Sequence, residues 1–215
     1  MAINTQEFLQ TMRTLQDNPD LENYSEMKLV EWYKQQIRKL KVYSYSELLA
    51  NKFTNEGTGT TRSLRPLDGS LNLFMYSPKG SEKLPYYDTF PLVIPIRGYN
   101  STYGGNQRSG AGFLGLNFHY LPYLLRFRLL IDLLPLGRLD DSVERLFIRY
   151  PEIKDINLAK PTIKRYLLNR VRSDYRYFSM EDYMTMMMTP IENFKKKPKV
   201  AVWADSRRIA VGDKS

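Results

Sequence analysis

The pattern of apolar and polar positions divides the chain into three parts. Residues 1–63 place apolar side chains three and four positions apart among charged ones, which predicts a helical leader with a polar face. Residues 64–194 contain short apolar runs separated by glycine- and proline-containing turns, which predicts the α+β core domain. Residues 195–215 begin with a run of lysines, and we expect a basic C-terminal tail that is extended and becomes ordered only on a partner.

The core part contains three predicted strands. Leu71–Tyr76 is apolar at most positions, which predicts a strand buried on both faces. Phe90–Ile96 contains Pro91 and Pro95, and we expect it at an edge or a bulge because proline cannot donate a backbone hydrogen bond. With Phe113–Tyr120 as the third strand, the pattern predicts an α+β fold: a small antiparallel sheet or partly open barrel, flanked by N-terminal and C-terminal helices.

Helical spacing follows the third strand. Leu121–Leu134 is the most amphipathic segment, and a second helix is predicted from Val143 to Tyr150. A third helix is predicted over 160–176, where the fixed backbone angle of Pro161 suits the first helical position. The methionines of 184–188 are interpreted as core filling in preference to an adaptable binding surface.

A long glycine-rich loop, 97–111, separates the second and third strands. A phosphate-binding loop would need Gly-Lys-Ser/Thr leading into a helix, whereas this run ends in Gly-Ala-Gly-Phe and enters a strand. Nucleotide binding is therefore disfavoured. Loops of this length usually have a function or are disordered before assembly, and we interpret this one as a flexible arm that contacts a neighbouring protein through Tyr99, Tyr103 and Arg108.

The charge and composition limit the possible partners. The net charge is +9, and the positive surplus lies in the last third of the chain, which favours nucleic acid or an acidic protein surface as partner. A solvated face without a binding role is the plain alternative. The absence of cysteine excludes disulfides, zinc–thiolate sites and a cysteine nucleophile. Charges and prolines interrupt the most apolar window, 121–136, so no membrane span is expected.

The predicted 160–176 helix is the candidate nucleic-acid contact. Arg165 and Arg172 are seven residues apart, and Lys160 and Lys164 are four apart, so each pair would share a helix face that could meet phosphates. The same residues also suit the polar side of an ordinary amphipathic helix. Because the chain contains no helix-turn-helix, zinc-finger or RNA-recognition pattern, we expect any DNA contact to be non-specific.

No catalytic motif is apparent. His119 is the only histidine, and a lone imidazole in an apolar strand is more often a hydrogen-bonded core residue than a base. Asp88 is the only nearby acid in the sequence, which is too little for a metal site. Paired carboxylates need no local motif and stay open. We expect a non-enzymatic protein that needs no cofactor or metal.

Several blocks of the sequence resemble virion structural proteins of T4-like and related contractile-tailed bacteriophages. The blocks are Trp32-Tyr33, Leu84–Ile96, Gly112–Leu130, Ile163–Ser173 and Pro190–Arg208. The resemblance implies a structural protein that acts by assembly in the tail, baseplate or neck. It also implies many copies in a symmetric particle, with other phage structural proteins as partners. The protein would be assembled in the host cytoplasm and located in the virion.

On that interpretation, the residues that contact partners lie in the loop, which is an insertion relative to the family pattern, and in the tail. Besides Tyr99, Tyr103 and Arg108, they are Lys195, Lys196, Lys197, Trp203, Arg207 and Arg208. The alternative is a non-specific DNA-binding protein that acts in replication, packaging or end protection of phage DNA. The basic segment 160–176 motivates this alternative.

Overall fold

The computed structural model describes residues 61–63, 65–97, 111–136, 138–140, 145–178, 183 and 186–212. Nearly all of the predicted leader lies outside these residues, and its last three form a strand, β1 (Thr61–Ser63). The interior of the 97–111 loop also lies outside them, together with Tyr99, Tyr103 and Arg108.

An open sheet forms the centre of the described chain. Its strands follow the order β1-β9-β2-β4-β5-β8, and every neighbouring pair along this path is antiparallel. Strand β7 adds to β4 in parallel and also pairs with β6, while β3 and β10 form a separate two-stranded ladder. The bounds are β2 (Leu71–Leu73), β3 (Tyr87–Asp88), β4 (Leu92–Arg97), β5 (Gly112–Asn117), β6 (Arg138–Asp140), β7 (Arg145–Arg149), β8 (Ile163–Leu167), β9 (Tyr175–Phe178) and β10 (Phe194–Lys195).

Helices flank this sheet, so the predicted α+β class is confirmed, with an open sheet and no closed barrel. Three α-helices are described with both ends: α1 (Tyr123–Leu133), α2 (Tyr150–Ile153) and α3 (Lys199–Val211), and residues 183 and 186–188 are also helical. Short 3-10 helices occupy Ser81–Lys83, Phe118–Tyr120 and Leu168–Arg170. No helix of the described part of the chain is long and apolar enough to span a membrane.

Alternating residues of the strands supply two apolar clusters on opposite faces of the sheet. Leu92, Ile94 and Ile96 of β4 face the larger cluster, which α1 covers, whereas Val93 faces the other way. The second cluster, here the aromatic cluster, consists of Phe74, Tyr76, Val93, Phe113, Tyr166 and Tyr175. Met186 and Met187 are fully buried in the larger cluster, which confirms core filling for these two methionines.

The central strands were predicted close to their observed positions, but β4 is not an edge strand. It lies between β2 and β5. Pro95 lies opposite Gly115 of β5, two residues along from the Val93–Asn117 pair. The Asn117 N–H points away from β4 and donates to the Thr162 carbonyl. Pairs two residues apart in a ladder have the same orientation. The Pro95 nitrogen therefore also points away from β5. On its other side, β4 pairs with β2 at Leu92 and Val93 and with β7 at Ile96 and Arg97. Pro95 lies between these two ladders, so its missing N–H costs no ladder hydrogen bond.

Two predicted helices are strands. The segment predicted as a helix from Val143 to Tyr150 contains β7, and 160–176 contains β8, a 3-10 helix and the start of β9. Gly112 explains part of this second difference, because a Cβ there would meet the Tyr166 carbonyl oxygen at 2.3 Å. Without that Cβ, β8 lies close against β5 and pairs with it over five residues, which overrides local helical spacing.

The predicted extended tail is also wrong. Lys195 belongs to β10, and residues 199–211 form α3, which ends at Gly212 in a left-handed conformation with φ 81°. Helix α3 buries Val202, Ser206 and Ala210, which are four residues apart. This narrow stripe of small side chains packs the helix onto the domain despite its basic composition.

Candidate nucleic-acid interface

Basic residues collect along β8 and the turn that follows it. Strand β8 ends the main sheet path, and Lys160, Arg165 and Arg172 on or beside it are exposed. The Lys160 Nζ donates to Asn157 Oδ1 at 2.8 Å. Because 160–176 is not one helix, the predicted face shared by Arg165 and Arg172 does not exist. The residues instead follow an edge strand and its turn, an arrangement that still offers several cations to a phosphate backbone.

A cleft of about 450 Å³ opens beside this basic edge. Its walls are the segment 84–88 and residues 164–167 of β8. Five tyrosines and three cations are among the lining residues: Tyr76, Tyr86, Tyr87, Tyr120, Tyr166, Lys79, Lys164 and Arg165. Its volume lies in the range of about 300 to 1,000 Å³ that is usual for small-ligand sites.

Lys164 connects the basic edge to the cleft. Its Nζ lies 4.1 Å from the ring centroid of Tyr120, a cation–π distance. Burial lowers the pKa of Lys164 to about 8, because the charged ammonium loses water. A nearby anion would restore part of the lost solvation, so this lysine is suited to receive a phosphate.

Two of the tail lysines hold the wall of the cleft. Lys196 has a left-handed backbone, with φ 71°, and its Nζ donates to the carbonyls of Glu82 and Leu84 at 2.7 Å each. The Lys197 Nζ lies 5.1 Å from the ring centroid of Tyr86 and donates to Asp205 at 2.8 Å. These residues were predicted to bind a partner protein. In the structure they position the segment 82–86.

Replacing Lys196 with methionine should loosen this wall. The Glu82 and Leu84 carbonyls would lose a charged donor, and such a bond is worth roughly 1.5 kcal/mol or more. We expect the amide hydrogens of Lys83 and Leu84 to exchange about tenfold faster in this variant. Lys195→Met is the matched control, because Lys195 is exposed and its ammonium has no bond or ion pair within the described chain. Equal exchange in both variants would contradict the positioning role of Lys196.

A buried polar network supports the floor of the cleft. His119 Nδ1 lies 2.8 Å from Asp88 Oδ2, and the Asn117 side chain donates to Asp88 at 3.2 Å and to the Tyr166 hydroxyl at 3.0 Å. Burial alone would raise the pKa of Asp88, but His119 and its other hydrogen-bond donors hold the pKa below its usual value. The interpretation of His119 as a hydrogen-bonded core residue is confirmed.

A buried ion pair connects α1 to the segment before β10. The fully buried Arg126 is paired with Glu192, and its guanidinium also donates to the carbonyls of Leu121 at 2.8 Å and Met187 at 3.0 Å. Burial alone would raise the pKa of Glu192, but Arg126 beside it holds the pKa below its usual value. This pair fixes the start of the C-terminal segment that carries the cleft-holding lysines.

The remaining predicted contact residues have different environments. Trp203 is half-buried and donates its indole N–H to the His119 carbonyl at 2.9 Å, so it anchors α3. Arg207 and Arg208 are exposed on α3, and Arg208 is paired with Asp205. Within the described residues, no cluster of histidine and acidic side chains could hold a metal ion.

Sequence reasoning missed the tyrosines that line the cleft. Tyr86 and Tyr87 precede the buried Asp88, and Tyr120 lies in a distant 3-10 helix, so only the fold brings them together. The available signal was local. Three tyrosines and two lysines lie within 76–87, a composition typical of nucleic-acid contacts.

Comparison with known families places these features in context. The family model described as "Phage T4 terminal DNA protecting protein" matches residues 2–206, and the chain belongs to this family. No curated protein and no solved structure matches it. The resemblance to T4-like phage proteins is therefore confirmed. The interpretation as a structural component of a contractile tail, baseplate or neck is wrong, because the family is described by protection of DNA ends. The alternative interpretation, which included end protection, agrees with the family.

Proposed function

We propose that this member of the terminal DNA protecting family binds the ends of phage DNA and shields them from exonucleases, without catalysis of its own. The family match over 2–206 is the observation that carries the proposal. The basic edge at β8 supports it, because lysine and arginine contacts to phosphates supply affinity for any sequence. An end protector needs that property, since the ends of packaged DNA need not share one sequence.

Exonuclease protection is the direct test. Linear duplex DNA would be incubated with the full chain and then with a 5′→3′ or a 3′→5′ exonuclease. We expect intact full-length DNA to persist at protein concentrations that bind the two ends only. A non-specific endonuclease acting on the same samples is the control and should cut as fast as without protein. Equal protection against the exonucleases and the endonuclease would indicate that the protein coats DNA generally. No protection against either exonuclease would overturn the proposal.

Arg165 and Arg172 should contribute to phosphate binding. The double variant Arg165→Ala/Arg172→Ala would lose two phosphate contacts. Each lost contact makes the slope of log affinity against log salt concentration shallower by about one unit, so we expect a total change of about two. The matched control is Arg128→Ala/Lys154→Ala, which removes the same charge from exposed positions on α1 and just after α2. A slope that both double variants change equally would assign the effect to net charge alone.

We also propose that the protein is carried in the virion with the DNA. Ends are exposed to host nucleases as soon as DNA enters a cell, before phage genes are expressed, so a protector made afterwards would come too late. Mass spectrometry of purified particles, separated into heads and tails, tests this localisation. Detection with the DNA-containing fraction is expected, and detection only in infected-cell lysate would contradict it. Contact with other phage structural proteins stays a prediction, and co-purification from disrupted heads would test it.

A further inference from the structure

The cleft contains more than phosphate binding along an edge requires. A phosphate backbone needs exposed cations, yet five tyrosines line this cleft, and the cations lie among them. Tyr76 and Tyr166 form its packed floor, with their rings 5.0 Å apart and their hydroxyls bonded to the Leu167 N–H and the Asn117 side chain. Tyr86 and Tyr87 are half-buried in the opposite wall. A ligand in this cleft would therefore meet aromatic surface and positive charge together.

The charge distribution orients such a ligand. Lys79 and Arg165 are exposed cations of the cleft, and Lys164 lies next to them on β8. The deepest charged group is Asp88, fully buried and paired with His119. A phosphate would be repelled from the Asp88 end and attracted to the lysines and Arg165. An uncharged aromatic ring would fit the tyrosine-lined part.

A nucleotide has both of these parts, a planar ring and a phosphate group. We infer that the cleft receives the unpaired terminal nucleotide of a DNA strand, with its base against Tyr86 and its phosphate against Lys164 and Arg165. This inference rests on the proposed end-binding function and names the site that would recognise the end. The cleft has room for about one nucleotide and not for the stacked pairs of a duplex. Bases inside a duplex are paired, so only an end can supply a free base without unpairing.

Such a site would explain selectivity for ends. The basic edge binds any stretch of DNA, because phosphates are the same everywhere along the duplex. A base that stacks on an aromatic side chain adds a contribution that only the terminal nucleotide makes. The same contact removes the terminal nucleotide from reach of an exonuclease, which must bind that nucleotide to start.

The test compares three DNA probes with the full-length protein. The first is a hairpin duplex with one open end and one unpaired terminal nucleotide, placed on either strand. The second carries an abasic residue at that position, so the phosphate stays and the base is removed. The third is a closed dumbbell without ends. We expect affinity to decrease from the first probe to the second by roughly 5- to 150-fold, the effect of one base stacked on an aromatic ring, with the dumbbell bound most weakly.

Two substitutions assign the preference to the cleft. Tyr86→Leu should abolish discrimination between the terminal base and the abasic end, while Tyr86→Phe, which keeps the ring, should retain it. Far-ultraviolet circular dichroism checks that both variants fold. The wild-type comparison of the two open ends needs no variant at all.

The outcomes separate this inference from the proposed function. Equal wild-type affinity for the base-bearing and abasic ends, with exonuclease protection intact, would overturn the nucleotide site and leave end binding standing. Unchanged discrimination in Tyr86→Leu would overturn it as well. Equal affinity for open ends and the dumbbell, without exonuclease protection, would overturn the proposed function and with it the inference.

Discussion

Replacing Arg126 with methionine is expected to lower the free energy of unfolding by about 3–5 kcal/mol, because Glu192 would keep a buried charge without its main partner. Both side chains of the pair are inaccessible to solvent. Lys199 lies 3.5 Å from the other Glu192 oxygen and would compensate only in part. Because domains of this size are stable by about 5–15 kcal/mol, the loss should be obvious in urea denaturation followed by tryptophan fluorescence.

Arg128→Met is the control for this prediction. Arg128 lies on the same helix, but its side chain is 59% exposed and pairs with Asp132 at 3.3 Å, so its loss should change stability by less than about 1 kcal/mol. The double variant Arg126→Met/Glu192→Leu should recover much of the stability, since it removes the unpaired charge. A loss below about 1 kcal/mol in Arg126→Met would show that the buried pair does not hold the C-terminal segment in place.

Binding to DNA ends is expected to weaken about tenfold between pH 7 and pH 9. The pKa of Lys164 is about 8 in the free protein, so its charged fraction falls about tenfold over this range, and only the ammonium attracts a phosphate. Burial raises the pKa of Tyr76, Tyr86, Tyr120 and Tyr166, which stay neutral over the same range, and Asp88 stays ionised. The other ionisable residues that line the cleft are Tyr87, Lys79 and Arg165. Fluorescence anisotropy at fixed ionic strength would measure the effect.

Lys164→Arg separates this lysine from every other titrating group. Arginine stays charged at pH 9, so affinity should become nearly independent of pH in the variant. As the pH rises, the effect of Lys164 on stability has the opposite sign to its effect on DNA binding. A lysine whose folded pKa is depressed stabilises the free fold as the pH rises from about 8 towards its ordinary value, because the unfolded chain then binds more protons. Weaker binding at pH 9 would therefore not result from unfolding through Lys164. An unchanged pH profile in the variant would assign the titration elsewhere.

The parts of the fold that were predicted correctly depend on strong local patterns. The apolar runs of β2, β4 and β5 and the amphipathic spacing of α1 are visible in sequence, and the structure contains them with small shifts in their bounds. Strand β8 was mistaken for a helix because Ile163, Tyr166 and Leu167 fit helical spacing. Its true state depends on pairing with β5, which is distant in sequence, and on the missing side chain of Gly112.

The candidate site was predicted in part. The basic residues Lys164 and Arg165 are evident from charge, and both line the cleft. Tyr86 and Tyr120 are 34 positions apart in the sequence, and only the fold brings their ring centroids to 6.0 Å. The lysine run was interpreted as a binding tail because charge does not reveal that Lys196 bonds back to residues more than a hundred positions earlier.

The pairing of β10 with β3 has a consequence for the order in which the chain folds during synthesis. Residues 82–88 on one wall of the cleft are held by Lys196, Lys197 and the β10 ladder, all of them more than a hundred positions later in the chain. Folding during synthesis generally proceeds from the N-terminus as the chain emerges from the ribosome. This wall of the cleft can therefore be fixed only after residues 194–197 have emerged. A nascent chain that ends before them would contain the central strands and still lack the complete cleft.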